Sequence, residues 1–333
     1  MPRIFLSASM VPLMVLCLAG CGDDDVTSSG RPVDSPDSAF SLIIIPDTQH
    51  YTAEMFSGTP AIFRAQIRWV VDNMKTLNAV FVNHVGDIVN DGDEYGVEWD
   101  RAWSAMSLLE DTTATHLLYG LPYSTTVGNH DQTSQNDPAG TTTHYNRLFG
   151  VWHFSGRPYY GGHFGSNNDD HFSLFSARGY DFIMVSMEYD TSPDADVLAW
   201  ADSLVAAYSK RWAIVSAHCL VGLGKPAPFT TQGRAIYDAL KDNPNLFLMV
   251  GGHFHGEGRR SDTYQGHTVH TVMANYQMRP NGGDGWLRIM KFYPEEKVMS
   301  VQTYSPTLDQ FETDADSSNQ FTLPIDLRPR GAW

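Results

Sequence analysis

An α/β fold built on parallel strands is predicted for this chain, on three observations. Short apolar runs rich in β-branched residues alternate with longer segments whose apolar residues recur at helical spacing. Five of the strand-like runs deliver Asp, Asn, Gln or His within a few residues of their ends. The C-terminal part then turns to successive strand-like runs that read as antiparallel.

The elements follow in order. "FSLIII" (40–45) is a buried strand, ended by Pro46 and followed by Asp47 and Gln49. "TPAIFRAQIRWVVDNMKTL" is a helix. Thr59 takes the N-cap position, Pro60 the first helical position, and Phe63, Ile67, Val70, Met74 and Leu77 form one face. "AVFVNHV" (79–85) is the second strand. "GVEWDRAWSAMSLLE" is a helix through Val97, Ala102, Met106 and Leu109, and "YSTTV" (123–127) is the third strand. Strand, helix, strand, helix, strand implies parallel pairing through right-handed crossovers. Residues 131–170, rich in Gly, Asn, His and Thr, are too long for a simple connection and read as a functional loop region. "YDFIMVSME", "WAIVSA" and "LFLMVGG" are further strands, with helices near 194–208 and 231–241. "HTVHTVMA", "WLRIMKF", "VMSVQTYS" and "QFTLPI" are the antiparallel set.

The chain has 333 residues, 42% of them apolar and 12% aromatic, which is a globular composition with length enough for a real core. Its formal charge of −16 argues against a nucleic-acid partner and gives no help in approaching anionic lipid. An anionic substrate must be attracted by something local, such as a bound cation.

The N-terminus reads as a processing signal over residues 1–20. Arg3 is the basic start and Ile4 to Leu18 an apolar stretch too short to favour spanning a bilayer. "LAGC", Leu18 to Cys21, resembles the bacterial lipobox, which implies lipidation at Cys21; ordinary secretory cleavage is the alternative. Residues 21–38, mostly Asp, Ser, Pro and Gly, are a flexible tether. The expected molecule is an exported lipoprotein at the periplasmic face of a membrane or the cell surface, with its domain at residues 39–333. Only Cys219 remains in that domain, so no intramolecular disulfide can form there. It sits beside His218, and reads as a buried small hydrophobe rather than a nucleophile.

The strand ends carry the chemistry. After "LIIIP" come Asp47 and Gln49. After "AVFVNHV" come Gly86 and Asp87, and after "YSTTV" come Gly128, Asn129, His130 and Asp131. His218 follows "AIVSA", and His253 and His255 follow "LFLMVGG". In a parallel sheet such ends share one edge, where ligand crevices form. Oxygen and imidazole donors converging there suit Mn, Fe or Zn.

This order of motifs resembles the calcineurin-like metallophosphoesterase superfamily, whose pattern is D-x-H, G-D, G-N-H-[DE], a lone H, then G-H-x-H. The likeness runs from about residue 40 to 305. It implies a four-layer α-β-β-α sandwich, with two mixed central sheets flanked by helices. It implies two divalent metal ions and hydrolysis of a small phosphate mono- or diester by a metal-bound hydroxide. Asp87 would bridge the two ions. Asp47 and His255 would complete one shell, and Asn129, His218 and His253 the other. His130 would assist the leaving oxygen, with Asp131 orienting it. Asn129 and His130 would also meet the substrate.

The chain departs from the pattern at Gln49, where the family usually has His. In an extended segment Gln49 lies on the side of Asp47, so it takes the ligand position, with His50 as the lesser substitute. An amide oxygen is a weaker ligand than imidazole. The remaining histidines, His84, His116, His144, His153, His163, His171, His267 and His270, read as structural or exposed. His163 is the candidate to line the substrate cleft, with His144 and Tyr51 as comparable guesses. The alternative function is a catalytically degenerate relative acting as a surface binding or scaffold protein.

Overall fold

The computed structural model describes residues 39–313 and 320–333. The signal sequence, the tether up to Asp37 and Ser38, and Cys21 lie outside the described residues. All six residues of Phe40–Ile45 are buried and form β1. The other strands, in chain order, are β2 (Ala79–His84), β3 (Tyr123–Thr125), β4 (Tyr160–His163), β5 (His171–Ala177), β6 (Tyr180–Met187) and β7 (Trp212–Ala217). Then come β8 (Leu246–Gly251), β9 (Gly256–Tyr264), β10 (His267–Asn275), β11 (Leu287–Tyr293), β12 (Val298–Ser305), β13 (Gln310–Phe311) and β14 (Gln320–Pro324).

Two mixed sheets result. One runs β13-β12-β11-β1-β2-β3, with β14 also on β12; the other runs β4-β5-β6-β7-β8-β10-β9. In the first, β1, β2 and β3 are parallel and β11 joins β1 antiparallel. In the second, β6, β7, β8 and β10 are parallel, and β5 and β9 flank them antiparallel. The helix Pro60–Leu77 buries Phe63, Ile67, Val70 and Val71 in the core cluster of the first sheet. Helices Ala195–Ala207 and Thr231–Leu240 pack Ala201, Val205, Ile236 and Leu240 onto Ile183, Val185, Ala213 and Val215 of the second. This is the four-layer α-β-β-α arrangement that the resemblance implies.

The space between the sheets differs at its two ends. Aromatic rings fill the end where the parallel strands begin. Phe40 stacks on Phe292 with ring centroids 4.9 Å apart and meets Phe182 at 5.5 Å; Phe182 stacks on Phe175 at 5.0 Å. Farther along the strands the buried side chains turn polar. Ser216 Oγ donates to Asn83 Oδ1 (2.8 Å), Asn83 Nδ2 donates to Ser124 Oγ (3.0 Å), and Thr126 and Ser216 share a hydroxyl bond of 2.7 Å. These bonds tie β2 and the end of β3 to β7 across the gap.

Some details differ from expectation. The third strand stops at Thr125 rather than Val127. Thr59 takes the N-cap position, but its side chain makes no capping bond. The supposed loop region 131–170 contains helices Thr143–Phe149 and Val151–Phe154 as well as β4. The antiparallel reading of the C-terminal part holds for β11 and β12 but only half describes β10. The chain reverses after β8 into β9 and reverses again, so β10 returns parallel to β8. Its last residue, Asn275, thereby emerges at the same edge as the ends of β7 and β8.

Phe182→Ala removes a ring that both sheets grip. It should lower unfolding free energy by about 3–5 kcal/mol, read as a lower urea midpoint at unchanged slope.

Candidate metal centre

At that shared edge, donor atoms of Asp87, His218 and His253 lie within 4.8 Å of one another. Each arrives from a different strand end. Asp87 follows β2, in the left-handed region at φ 52°, and His253 follows β8 at φ 76°. Residues with a Cβ enter that region at a cost, and such strain concentrates at functional sites. The neighbouring glycines are there for space. A Cβ at Gly128 would strike the Asp87 amide and carboxylate, and one at Gly252 would strike the Asp47 carboxylate.

The donors are held by a second set of bonds. His218 Nδ1 binds the Val85 carbonyl (2.8 Å), which puts the proton on Nδ1 and turns Nε2 towards Asp87 Oδ2 at 3.1 Å and Asp47 Oδ2 at 3.9 Å. His253 Nδ1 lies 2.9 Å from Asn129 Oδ1, and the His253 amide donates to Asp47 Oδ2 (3.2 Å). The His130 amide donates to Asp87 Oδ1 (3.0 Å). Tyr189 packs beside both imidazoles, 6.1 Å from His218 and 5.6 Å from His253 between ring centroids.

The electrostatics ask for positive charge. Burial drives the Asp47 carboxyl up to about 8 against the pull of His218, with Asp87 adding repulsion. Burial acts on Asp87 as well, but the His218 imidazole outweighs it and holds Asp87 down at about 2. His218 rises to about 9, since the two carboxylates overcome its own burial. Burial lowers His253 to about 4, which leaves it neutral and able to donate a lone pair. Two buried atoms here, Gln49 Oε1 and His218 Nε2, lack a hydrogen-bond partner; the 3.1 Å approach of the latter to Asp87 is not aligned as a hydrogen bond. Carboxylates, neutral imidazole and orphaned donor atoms together fit a divalent cation.

The remaining candidates fall differently. Residues 47–49 do not continue extended: Gln49 opens a one-turn helix, Gln49–Thr52, so strand alternation does not govern its direction. His50 is engaged away from the cluster, with Nδ1 on the Gln277 carbonyl (2.9 Å) and its ring on Phe56. His255 is exposed, and its Nε2 lies 3.0 Å from Gln277 Nε2. Asp131 does not orient His130. Its Oδ1 accepts from the Ile88 and Val89 amides and its Oδ2 from Gly128, so it staples two loops together. His130 Nδ1 instead meets the Asn90 carbonyl at 2.9 Å. His163 is bonded to the Tyr160 hydroxyl on β4, and Tyr51 accepts from the Gly285 amide in the core.

Two supporting residues escaped the sequence reading. Asn275 donates to Asp47 Oδ2 (2.7 Å) and to the His253 carbonyl (3.0 Å). Gln277 touches both His50 and His255. Only the parallel pairing of β10 would have brought them to this edge.

Residues 40–257 match the family described as calcineurin-like phosphoesterase. Among curated proteins, YvnB of Bacillus subtilis is 33% identical over 304 residues, covering 87% of this chain. The chain spans 22% of that protein's length. Among solved structures, a dimetal phosphatase from Danio rerio superposes with a TM-score of 0.55 at 13% identity, covering 87% of this chain and 100% of the other. GAP50 of Plasmodium, described as the anchor in the inner membrane complex, gives 0.53 at 12%, covering 89% and 91%.

Two substitutions test the site. Asp131→Asn sets an amide nitrogen against backbone N–H groups, and should lower stability by about 1–3 kcal/mol in urea titration. Gln49→His should tighten one bound ion in a metal titration followed by calorimetry; unchanged occupancy and affinity would place residue 49 off the site.

Proposed function

The chain belongs to the calcineurin-like phosphoesterase family, and from that premise we propose that it is a metal-dependent hydrolase of phosphate esters using two divalent ions. One observation carries the reading: Asp87, His218 and His253 converge within 4.8 Å, with Asp47 and Asn129 bonded to His253. Asp47, Asp87, Asn129, His218 and His253 would hold the ions, with Gln49 and His255 as the outlying candidates. When bound, divalent ions supply the local positive charge that draws in an anionic ester and activates water.

The chain's own groups do the rest. Asp87 has Oδ1 fixed by the His130 amide and Oδ2 facing His218, so its two oxygens serve different neighbours. The Asn129 oxygen is neutral and leaves more of the cationic charge for the substrate. His130 donates from Nδ1 to the Asn90 carbonyl, so Nε2 is the nitrogen left to protonate or hydrogen-bond the departing oxygen. A thiol nucleophile is disfavoured. Burial pushes Cys219 up to about 11 despite the nearby Thr230 hydroxyl, so it stays protonated near neutral pH.

A second reading, a binding or anchoring protein on the same fold, draws on Gln49 and on the anchor role described for the Plasmodium neighbour. Turnover of an aryl phosphate and the matching diester, with Mn, Fe or Zn supplied, decides between them. Bound metal without turnover of either ester favours the anchor. His130→Ala should reduce turnover about 10²–10⁴-fold with metal content retained; loss of metal in that variant would overturn the role given to His130.

A further inference from the structure

Beside the metal centre lies a cavity of about 190 Å³ that the proposed reaction does not use. The carboxylates of Asp170, Glu188, Asp190 and Asp194 line it, together with Phe164 and Gln232. Asp170 is buried to 9% exposure, and Gln232 to 1%. Among the described residues no lysine or arginine forms an ion pair with any of the four acids. Asp194 stands at the N-cap of helix Ala195–Ala207, yet its side chain makes no capping bond.

A second observation points to a ligand. Gln232 Nε2 donates to the Glu188 carbonyl, which fixes the orientation of its amide. The Gln232 oxygen is therefore committed to the other side, and it is buried with no donor to meet. Gln132 behaves alike: its Nε2 donates to Glu188 Oε1 (2.8 Å) and the Tyr189 carbonyl (2.8 Å), and its oxygen is also buried and unpartnered. Two backbone amides meet the acidic lining, Glu188 N–H on Asp170 Oδ1 (3.0 Å) and Ser192 N–H on Asp190 Oδ1 (2.6 Å), and neither brings a charge. An acceptor-lined, uncompensated cavity calls for a cation.

The geometry points to an organic cation rather than a metal. A divalent ion needs oxygen donors within about 2.6 Å of its centre. Among the described residues, only Asp87, His218 and His253 bring three acidic or imidazole groups that close together. The cavity is several times the roughly 30 Å³ share of one water molecule. Phe164, whose ring lies 5.7 Å from Trp200, adds an aromatic wall. Carboxylates spaced around an aromatic face suit a substituted ammonium.

The cavity also shares a wall with one that His253 borders. Gln232 lines it and equally lines a second cavity of about 410 Å³, to whose walls His253, Tyr189 and Phe254 contribute. We propose that this acidic cavity binds the substituted ammonium group of a zwitterionic phosphate ester whose phosphoryl group occupies the metal centre. The ammonium site stands on its own geometry; its assignment to the substrate rests on the phosphoesterase reading. Burial pushes Glu188 up to about 9, with Asp169, Asp170 and Asp190 adding repulsion, and pushes Asp170 up to about 7. A cation would relieve both.

Choline chloride titrated calorimetrically into the metal-loaded chain is the first test. One site per chain is expected, and Glu188→Gln and Asp190→Asn should each weaken it about tenfold with bound metal per chain constant. Both side chains are half-buried, and only Glu188 is tied to Gln132, so the Asp190 variant remains informative if the Glu188 variant misfolds. Absent binding, or equal affinity in wild type and both variants, overturns the proposal, as does displacement of choline by stoichiometric calcium. The second test compares kcat/KM for nitrophenyl phosphocholine and nitrophenyl phosphate. The ratio should favour the former and fall in Glu188→Gln. No preference in the wild type removes the substrate assignment, while turnover of neither ester defeats the phosphoesterase reading and leaves the choline titration to stand alone. Phosphatidylcholine in micelles, set against the soluble ester, assigns the ammonium to lipid or to a small molecule.

Discussion

The bond from His218 Nδ1 to the Val85 carbonyl, 2.8 Å long, is the constraint on which the site depends. His218 belongs to the end of β7 in one sheet, and Val85 to the end of β2 in the other. Two stacked sheets need not bring their strand ends into register, because apolar packing is non-directional. A directional bond between them does. In the neutral ring this bond also keeps the proton on Nδ1, and it turns Nε2 to face the carboxylates. The Asn83, Ser124, Thr126 and Ser216 network below it and the Tyr189 amide on the Val127 carbonyl above it repeat the same cross-sheet connection.

The two ends of the sandwich divide the work. Interlocked aromatic rings supply apolar burial where the strands begin, and fix the spacing of the sheets. Polar groups at the other end can then be buried, because a stiff frame holds their partners in place. The chain carries a formal charge of −16, which repels anionic esters at a distance. Selective attraction must therefore come from within the cluster, where Asp47 and Asp87 sit in low dielectric and demand a counter-charge.

Much of this was legible because the chemistry-bearing residues follow apolar runs without a spacer. Asp87, Asn129, His218 and His253 each stand one to four residues beyond a strand, and parallel pairing sends those ends to one edge. Local conformation was less legible. Strand alternation places Gln49 beside Asp47, but Pro46 follows the strand's last residue and the chain turns into a helix at residue 49. Asp131 was linked to His130 by adjacency, yet in a tight turn neighbouring side chains diverge, and three backbone amides claim its carboxylate. Asn275 and Gln277 were missed since a carboxamide after a strand is common. Their importance comes from the double reversal through β9, which has no mark in composition.

Asp87 and His253 both hold backbone angles that an L-residue adopts reluctantly. Glycine would relax either position, and would delete a donor in doing so. Selection for heat tolerance alone would thus drift towards sturdier, inert descendants. Laboratory evolution of this protein needs an activity screen in every round, because its most tempting stabilising changes lie where the chemistry is housed.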